Sequence, residues 1–375
     1  MNYKWLFFCA LALSGCMHSD DTVTKDVRDN ATEVALTGAK PENKFFTDVF
    51  DTVEFLPLET GKQSYLSFID DVLYFKGNYF IRDNSQHCIF CFDEDGKFKF
   101  KIFPRGKAPL ELNSITDFTV NTRQELLEVF DFTLGKIVSF DLSGNPVSEK
   151  RFNYYLREFS RQSNGDYVVY APDLYNDKTS SKIASGAFVT DSMGNYKYSF
   201  LVTKVTGMYT EPINCLSGFG DSITLVSNYT KDVYLINNGN ISKTFRIKYD
   251  DNWVQSLITT NGYGSNTTIT YRKEIKDNTG LTAYLNGGNH SQQHLNMMFN
   301  NLFVMPIIIP HLVKDSRTMV GFVTALDLKK MGDFVNHKGG LKVNEVLTGR
   351  LLALSKTMTE NDNPVMIMLH LKNRL

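Results

Sequence analysis

One pattern recurs along this chain and restricts its fold more than any other feature. Asp83 to Gly96 (DNSQHCIFCFDEDG), Asp131 to Gly144 (DFTLGKIVSFDLSG) and Ser227 to Gly239 (SNYTKDVYLINNG) superimpose without gaps, the third one residue shorter in its final turn. Each is a polar turn, an alternating apolar segment and a second turn ending in glycine. Asp and Asn supply a side-chain acceptor for backbone N–H groups, and glycine supplies the positive φ that such a turn needs. A fourth turn, Asp191-Ser192-Met193-Gly194, follows Ala187 to Thr190. The closing glycines at 96, 144, 194 and 239 are 48, 50 and 45 residues apart.

Further strand-like runs lie between these turns, such as Tyr167 to Tyr170 and Ile223 to Val226. A unit of 45 to 50 residues with about four short strands is the signature of a propeller blade. Phe45 to Leu375 then divides into six units of 50 to 55 residues, with seven units near 47 as the alternative. The fold expected is all-β, a six-bladed β-propeller. Its last strand, within Pro364 to Leu371, is expected to complete a blade begun near Val53 to Leu56 and so remove exposed sheet edges. After Tyr249 the repeat blurs. Asn301 to Met305 and Leu351 to Leu354 read as remaining strand pieces, and helical spacing is confined to Asn289–Met298 and Ala325–Met331.

The N-terminus carries a different message. Lys4 precedes a nine-residue apolar run, Trp5 to Leu13, then Ser14, Gly15 and Cys16. This is the layout of a secretory signal, and the run is far shorter than the ~20 apolar residues a spanning helix needs. Leu13-Ser14-Gly15-Cys16 resembles the lipobox of bacterial lipoproteins, which implies cleavage before Cys16 and acylation of its thiol. Residues 1–15 are therefore expected to be a signal peptide, 16–43 a polar tether too poor in apolar residues to order itself, and 44–375 a single propeller domain. Ser19-Asp20-Asp21 resembles the acidic export signal of Bacteroides-type surface lipoproteins. The expected location is the outer membrane, at the cell surface, with a periplasm-facing protein as the alternative.

The chain has 40 basic and 41 acidic residues without a basic stripe, which argues against a nucleic-acid partner. With Cys9 removed and Cys16 acylated, Cys88, Cys91 and Cys215 remain, an odd number and no basis for a disulfide framework. Cys88 and Cys91 have CxxC spacing inside the apolar run CIFCF. Strand residues three apart point to opposite faces, so these are read as buried core thiols.

Arg105-Gly106-Lys107-Ala108-Pro109-Leu110-Glu111, followed by Ile115 to Phe118, resembles a motif of the six-bladed β-propeller lipoproteins of Bacteroides and relatives, distant cousins of NHL-repeat propellers. That family commonly shows Arg-Gly-x-Gly-Pro-Gly-Glu before a similar strand. Ala108 and Leu110 stand here where the family has glycine. Asn363-Pro364-Val365, leading into the final strand, is similar too. The resemblance implies a fold and an envelope location; it implies no one reaction.

Candidate binding residues follow from chemistry and placement. Arg105 and Glu111 flank the Gly/Pro connection, where they are read as a clamp between blades or as ligand contacts facing the axial channel; Asp131 is a third polar group at the same mouth. Trp253, Tyr263 and Tyr271 lie in an Asn-, Thr- and Gly-rich tract, 252 to 278, and offer flat faces for a sugar or peptide. His290 and His294 are four apart but lack the Glu of a zinc-protease HExxH pattern. The Asp residues of the repeat are read as turn chemistry, since none has EF-hand spacing. No metal, cofactor or catalytic residue is expected. Two functions stay open: a non-catalytic binding or scaffold propeller for a glycan, peptide or envelope protein, and a hydrolase or lyase acting on an extracellular polymer.

Overall fold

The computed structural model describes residues 31–35, 50–171, 186–202, 215–219, 221–226, 232–248, 268–273, 281–286, 312–315, 317–337 and 345–372. Trp253, Tyr263, His290, His294 and the 301–305 segment lie outside them, as does Cys16. Tyr271 falls in a strand whose side chains are not described.

The sheets follow one another along the chain. The first blade is β3 (Asp71–Phe75), β4 (Asn78–Asp83), β5 (Cys88–Asp93) and β6 (Phe98–Ile102). The second is β7 (Asp117–Asn121), β8 (Leu126–Asp131), β9 (Lys136–Phe140) and β10 (Pro146–Arg151). The third is β11 (Glu158–Arg161), β12 (Tyr167–Ala171), β13 (Gly186–Thr190) and β14 (Tyr196–Val202). The fourth is β15 (Leu216–Phe219), β16 (Ser222–Val226), β17 (Asp232–Asn237) and β18 (Asn240–Lys248). Each is an antiparallel meander paired in sequence order. The hairpin of β19 (Thr268–Lys273) and β20 (Leu281–Asn286) comes fifth. The last blade is β21 (Leu312–Val313), β22 (Thr318–Val323), β23 (Val365–Leu371) and, as its outer strand, β2 (Phe50–Pro57) from the other end of the chain.

Six sheets in this order make a six-bladed β-propeller, and the seven-bladed alternative falls away. The strands β21, β3, β7, β11 and β15 are successive neighbours around the axis, so the first strand of each of these five blades lines the central channel. The ring closes as the sequence implies: Val53 pairs with Leu369 and Phe55 with Ile367. Alternation divides the core between blades. Tyr79, Phe90 and Phe92 pack against Val320, Met366 and Met368 of the closing blade, while Phe80, Ile89 and Cys91 face Leu127, Val129 and Val138 of the second. Cys88 and Cys91 accordingly lie in clusters on opposite faces of one sheet, both buried and free. Burial pushes the Cys91 thiol up to about 12, which leaves it without thiolate character.

The repeated turns have the expected chemistry. Asp93, Asp141 and Asp191 each accept two backbone N–H bonds at 2.8–3.0 Å from the second and fourth residues after them. The glycine follows at φ between 76° and 89° in all three. A Cβ on Gly144 would lie 2.5 Å from the ring of Phe100, and one on Gly194 2.5 Å from Phe152. The turn glycines therefore also permit close contact with the preceding blade.

Two features depart from the sequence reading. Leu351 to Leu354 is helical, not a strand: α1 (Ala325–His337) and α2 (Glu345–Thr357) are inserted between β22 and β23. Thr324 caps α1: its Oγ1 accepts the Asp327 N–H at 3.1 Å and donates to the Asp327 carboxylate at 2.7 Å. Leu328, Met331 and Leu351 cover Val53, Met319, Ile367 and Leu369, on the sheet face turned away from the first blade. Gly332 allows the close crossing of the two helices at Ser355. The helices thus bury an apolar sheet face that in a regular propeller packs on the preceding blade. The second departure is in the segment expected to be tether, where β1 (Thr32–Ala35) adds a parallel fifth strand to the edge of β18.

Candidate functional site at the channel mouth

The connection from the outer strand of one blade to the inner strand of the next, and the turn between a blade's second and third strands, emerge on the same side of a propeller as the start of each inner strand. The glycine turns lie on the opposite side. This topology gathers residues from distant sequence positions onto one face.

At the axis of that face, β3, β7 and β11 begin with a carboxylate: Asp71, Asp117 and Glu158. Two of them reach to the next blade. Asp117 Oδ2 accepts the Phe159 N–H at 2.7 Å, and Glu158 Oε2 accepts the Leu216 N–H at 2.8 Å. Arg82 pairs across from Asp71. Its Nη1 lies 3.7 Å from Asp117 Oδ1 and donates to the Thr116 carbonyl. Arg82 and Asp117 are buried, whereas Asp71 and Glu158 keep some exposure to the channel.

Burial raises the proton affinity of all three acids, against the opposing charge of the nearby guanidinium. Burial pushes Asp117 well above the usual carboxylate range; Arg82 opposes this, and Glu158 and Asp71 add to it. Burial likewise lifts Glu158 to about 7, despite the N–H donors of Leu216 and Cys215. Asp71 is raised by burial and held back by Arg82. These are the desolvation and like-charge effects expected where charge leaves water.

On the same face stand five exposed aromatic side chains: Tyr65 and Phe68 from the β2–β3 connection, Phe103 from β6–β7, Phe132 from the β8–β9 turn and Tyr155 from β10–β11. Phe68 is the most open, 62% exposed. The rings of Phe132 and Tyr155 lie 5.9 Å apart, and the Arg105 guanidinium sits 5.0 Å over Phe103. Exposed aromatics collected on one face are unusual for a surface that meets only water.

The structure places the sequence candidates differently from expectation. Arg105 and Glu111 are on this face but form no ion pair with each other among the described residues, so the expected clamp is absent. The N–H groups of Arg105 and Gly106 both donate to the Leu112 carbonyl, and Glu111 accepts the Ala108 N–H at 3.0 Å. The connection is folded on itself, and a Cβ at 106 would displace the Glu111 carboxylate from its present position. The contact between strands is made instead by Glu149, which accepts from Leu110 N–H at 2.9 Å and from buried Lys136 at 2.6 Å. Asp131 is fully buried; its carboxylate accepts from Asn113 N, Ser114 N, Ser114 Oγ and Leu134 N. Asp83 does the same one blade earlier, with Ser67, Phe68, Ser85 and Gln86. Donors outweigh burial there and hold Asp83 below the usual range. Asp131 is therefore a loop fastener with no acceptor capacity left for a ligand.

The sequence reading missed Asp71, Arg82, Asp117, Glu158 and the five aromatics. The available signal was a carboxylate heading an alternating strand in successive repeats. Irregular connection lengths hide it, because the carboxylates do not keep a fixed distance from the turn glycines.

Comparison with known proteins agrees with this architecture. No curated protein matches the chain in sequence. Among solved structures, a Bacteroides fragilis protein assigned as exported superimposes with a TM-score of 0.64 at 14% identity, covering 91% of this chain and 100% of that one. BamB from Moraxella catarrhalis (9% identity, 52% of each chain) and a Bacteroides caccae protein of unknown function (13% identity, 48% of this chain and 60% of that one) each superimpose with a TM-score of 0.31. Residues 24–297 match the family model described as a 6-bladed beta-propeller. With 274 of its 375 residues matched, the chain belongs to that six-bladed β-propeller family.

Proposed function

We propose that this protein is an exported envelope lipoprotein, anchored through Cys16, whose propeller binds an extracellular glycan at the channel mouth without catalysing a reaction. The observation that carries the binding reading is the set of five exposed aromatics on one face. Flat rings present apolar area at low entropic cost, and the polar groups between them fix orientation. The likeness to an exported propeller and the signal-like N-terminus support the location, at the outer membrane and facing the cell surface. A peptide or envelope protein is the other class of partner for such a face.

The test is calorimetric titration of the soluble domain against polysaccharide fragments and peptides. Phe68→Ala and Tyr155→Ala should each weaken a bound ligand by about 2 kcal/mol, roughly thirtyfold, the scale of an interface hot spot. Met193→Ala, on the opposite face, should not. Equal affinity in all three variants rejects the site.

One observation favours a second reading, a propeller hydrolase or lyase. Glu158, lifted to about 7 beside Asp117 and Asp71, is tuned as a general acid or base must be. Turnover of a polymer by the wild type, lost in Glu158→Gln, would replace the binding reading with this one.

A further inference from the structure

The segment Thr32–Ala35 pairs in parallel with β18, Thr32 opposite Phe245 and Ala35 opposite Lys248. The direction of β18 is set by the turn at Asn238 and Gly239, which lies on the glycine-turn face; from there β18 runs toward the aromatic face. β1 runs the same way. Ala35 therefore reaches the aromatic-face end of the blade, and at Thr32 the chain is arriving from the glycine-turn side. The pairing also matches charge, with Glu33 opposite Arg246, a guanidinium held 2.9 Å from Asp232.

We infer that β1 is an orienting clasp: it fastens the anchored N-terminus to the fourth blade so that the glycine-turn face lies toward the membrane and the aromatic face points away. Cys16 precedes Thr32 by sixteen residues, and for comparison a flexible coil of sixteen residues has a root-mean-square span of about 22 Å. That distance is comparable with the height of a blade, so the side from which the chain joins the body biases which face the membrane meets. The direction of β1 comes from strand pairing alone. The meaning of the outward face rests on the binding reading proposed above.

The experiment separates this inference from the lipidation of Cys16. The chain from residue 16 onward, with Cys16→Ser and a hexahistidine tag ahead of it, is held on vesicles containing nickel-chelating lipid and a lipid-borne fluorescence quencher. Cys88, Cys91 and Cys215 are buried, so a maleimide dye takes one engineered thiol. Asn153→Cys marks the aromatic face, and Met193→Cys marks the glycine-turn face of the neighbouring blade. Quenching should be at least twofold stronger at 193 than at 153. The double change Glu33→Pro and Val34→Pro removes whichever of the two N–H groups faces β18 and should erase that difference while the fold, followed by thermal melting, persists. Equal quenching in the parent chain, stronger quenching at 153, or a difference that survives the two prolines would each overturn the clasp. Lipidation is decided separately: lipid labelling that persists in Cys16→Ala would refute the anchor and leave the orientation result standing.

Discussion

The side-chain amide of Asn363 donates to the Ser64 carbonyl at 2.7 Å, joining positions 299 residues apart. Asn363 also donates to the Glu59 carbonyl and accepts the Leu66 N–H, both at 2.8 Å, and its own N–H bonds Thr60 Oγ1. One buried amide thus fastens the start of the last strand to the connection that opens the first blade. The β2–β23 ladder closes the ring, and Asn363 fixes the corner where the two chain ends meet.

Replacing Asn363 with Ala strands the Leu66 N–H and the Ser64 carbonyl, while the Glu59 carbonyl keeps the Ser64 hydroxyl as its donor. At about 1–3 kcal/mol for each unsatisfied group, partly relieved by water, the expected loss is about 3 kcal/mol. Urea unfolding should show a lower midpoint with an unchanged slope. A shift below about 0.5 kcal/mol would mean that the corner is not a fastening point.

Leu110 has φ of 63°, a left-handed conformation that costs a residue with a Cβ about 1–2 kcal/mol. This is one of the two places where the similar lipoprotein motif carries glycine. Here a leucine occupies the left-handed conformation, with its N–H held by Glu149 at 2.9 Å. Leu110→Gly should therefore stabilise the protein by about 1 kcal/mol, allowing for the added entropy of the unfolded chain. A destabilised variant would show that the partly buried leucine side chain contributes more than the strain costs.

Glu158 binds its proton more tightly in the folded protein, at about 7, than the ordinary 4.5. Between those values the native state holds more protons than the unfolded one, so stability falls as pH rises. The contribution is fully present below about 4.5 and lost on passing about 7; Asp117 and Asp71, both raised, act with the same sign. The melting temperature should drop between pH 5 and pH 8, and Glu158→Gln should flatten that slope. An unchanged slope in the variant would place the pH dependence elsewhere.

The blades were legible because their information is local. Asp141 and Gly144 satisfy one turn within five residues, and the alternation in CIFCF states which thiol faces which neighbouring blade. Even the closure was readable, since an apolar strand at each end needs a partner. The helical insertion was half legible: Ala325 to Met331 has helical spacing, but the apolar LLAL run at 351–354 matches a strand and a helix equally well. The clamp expected of Arg105 and Glu111 failed because spacing cannot tell whether a carboxylate will reach across blades or satisfy an N–H three residues away.

The sequence by itself therefore determined the repeat, the turn chemistry, the face that each strand buries and hence the propeller. Tertiary structure alone decided the mouth. Asp71, Asp117 and Glu158 are brought together by three blades turning about one axis, and Tyr65, Phe68, Phe103, Phe132 and Tyr155 share a face because connections of unequal length return to the same side of the ring. Local patterning dictates what a segment pairs with and buries; proximity around an axis arises only when separate sheets pack, and it leaves no fixed interval in the chain.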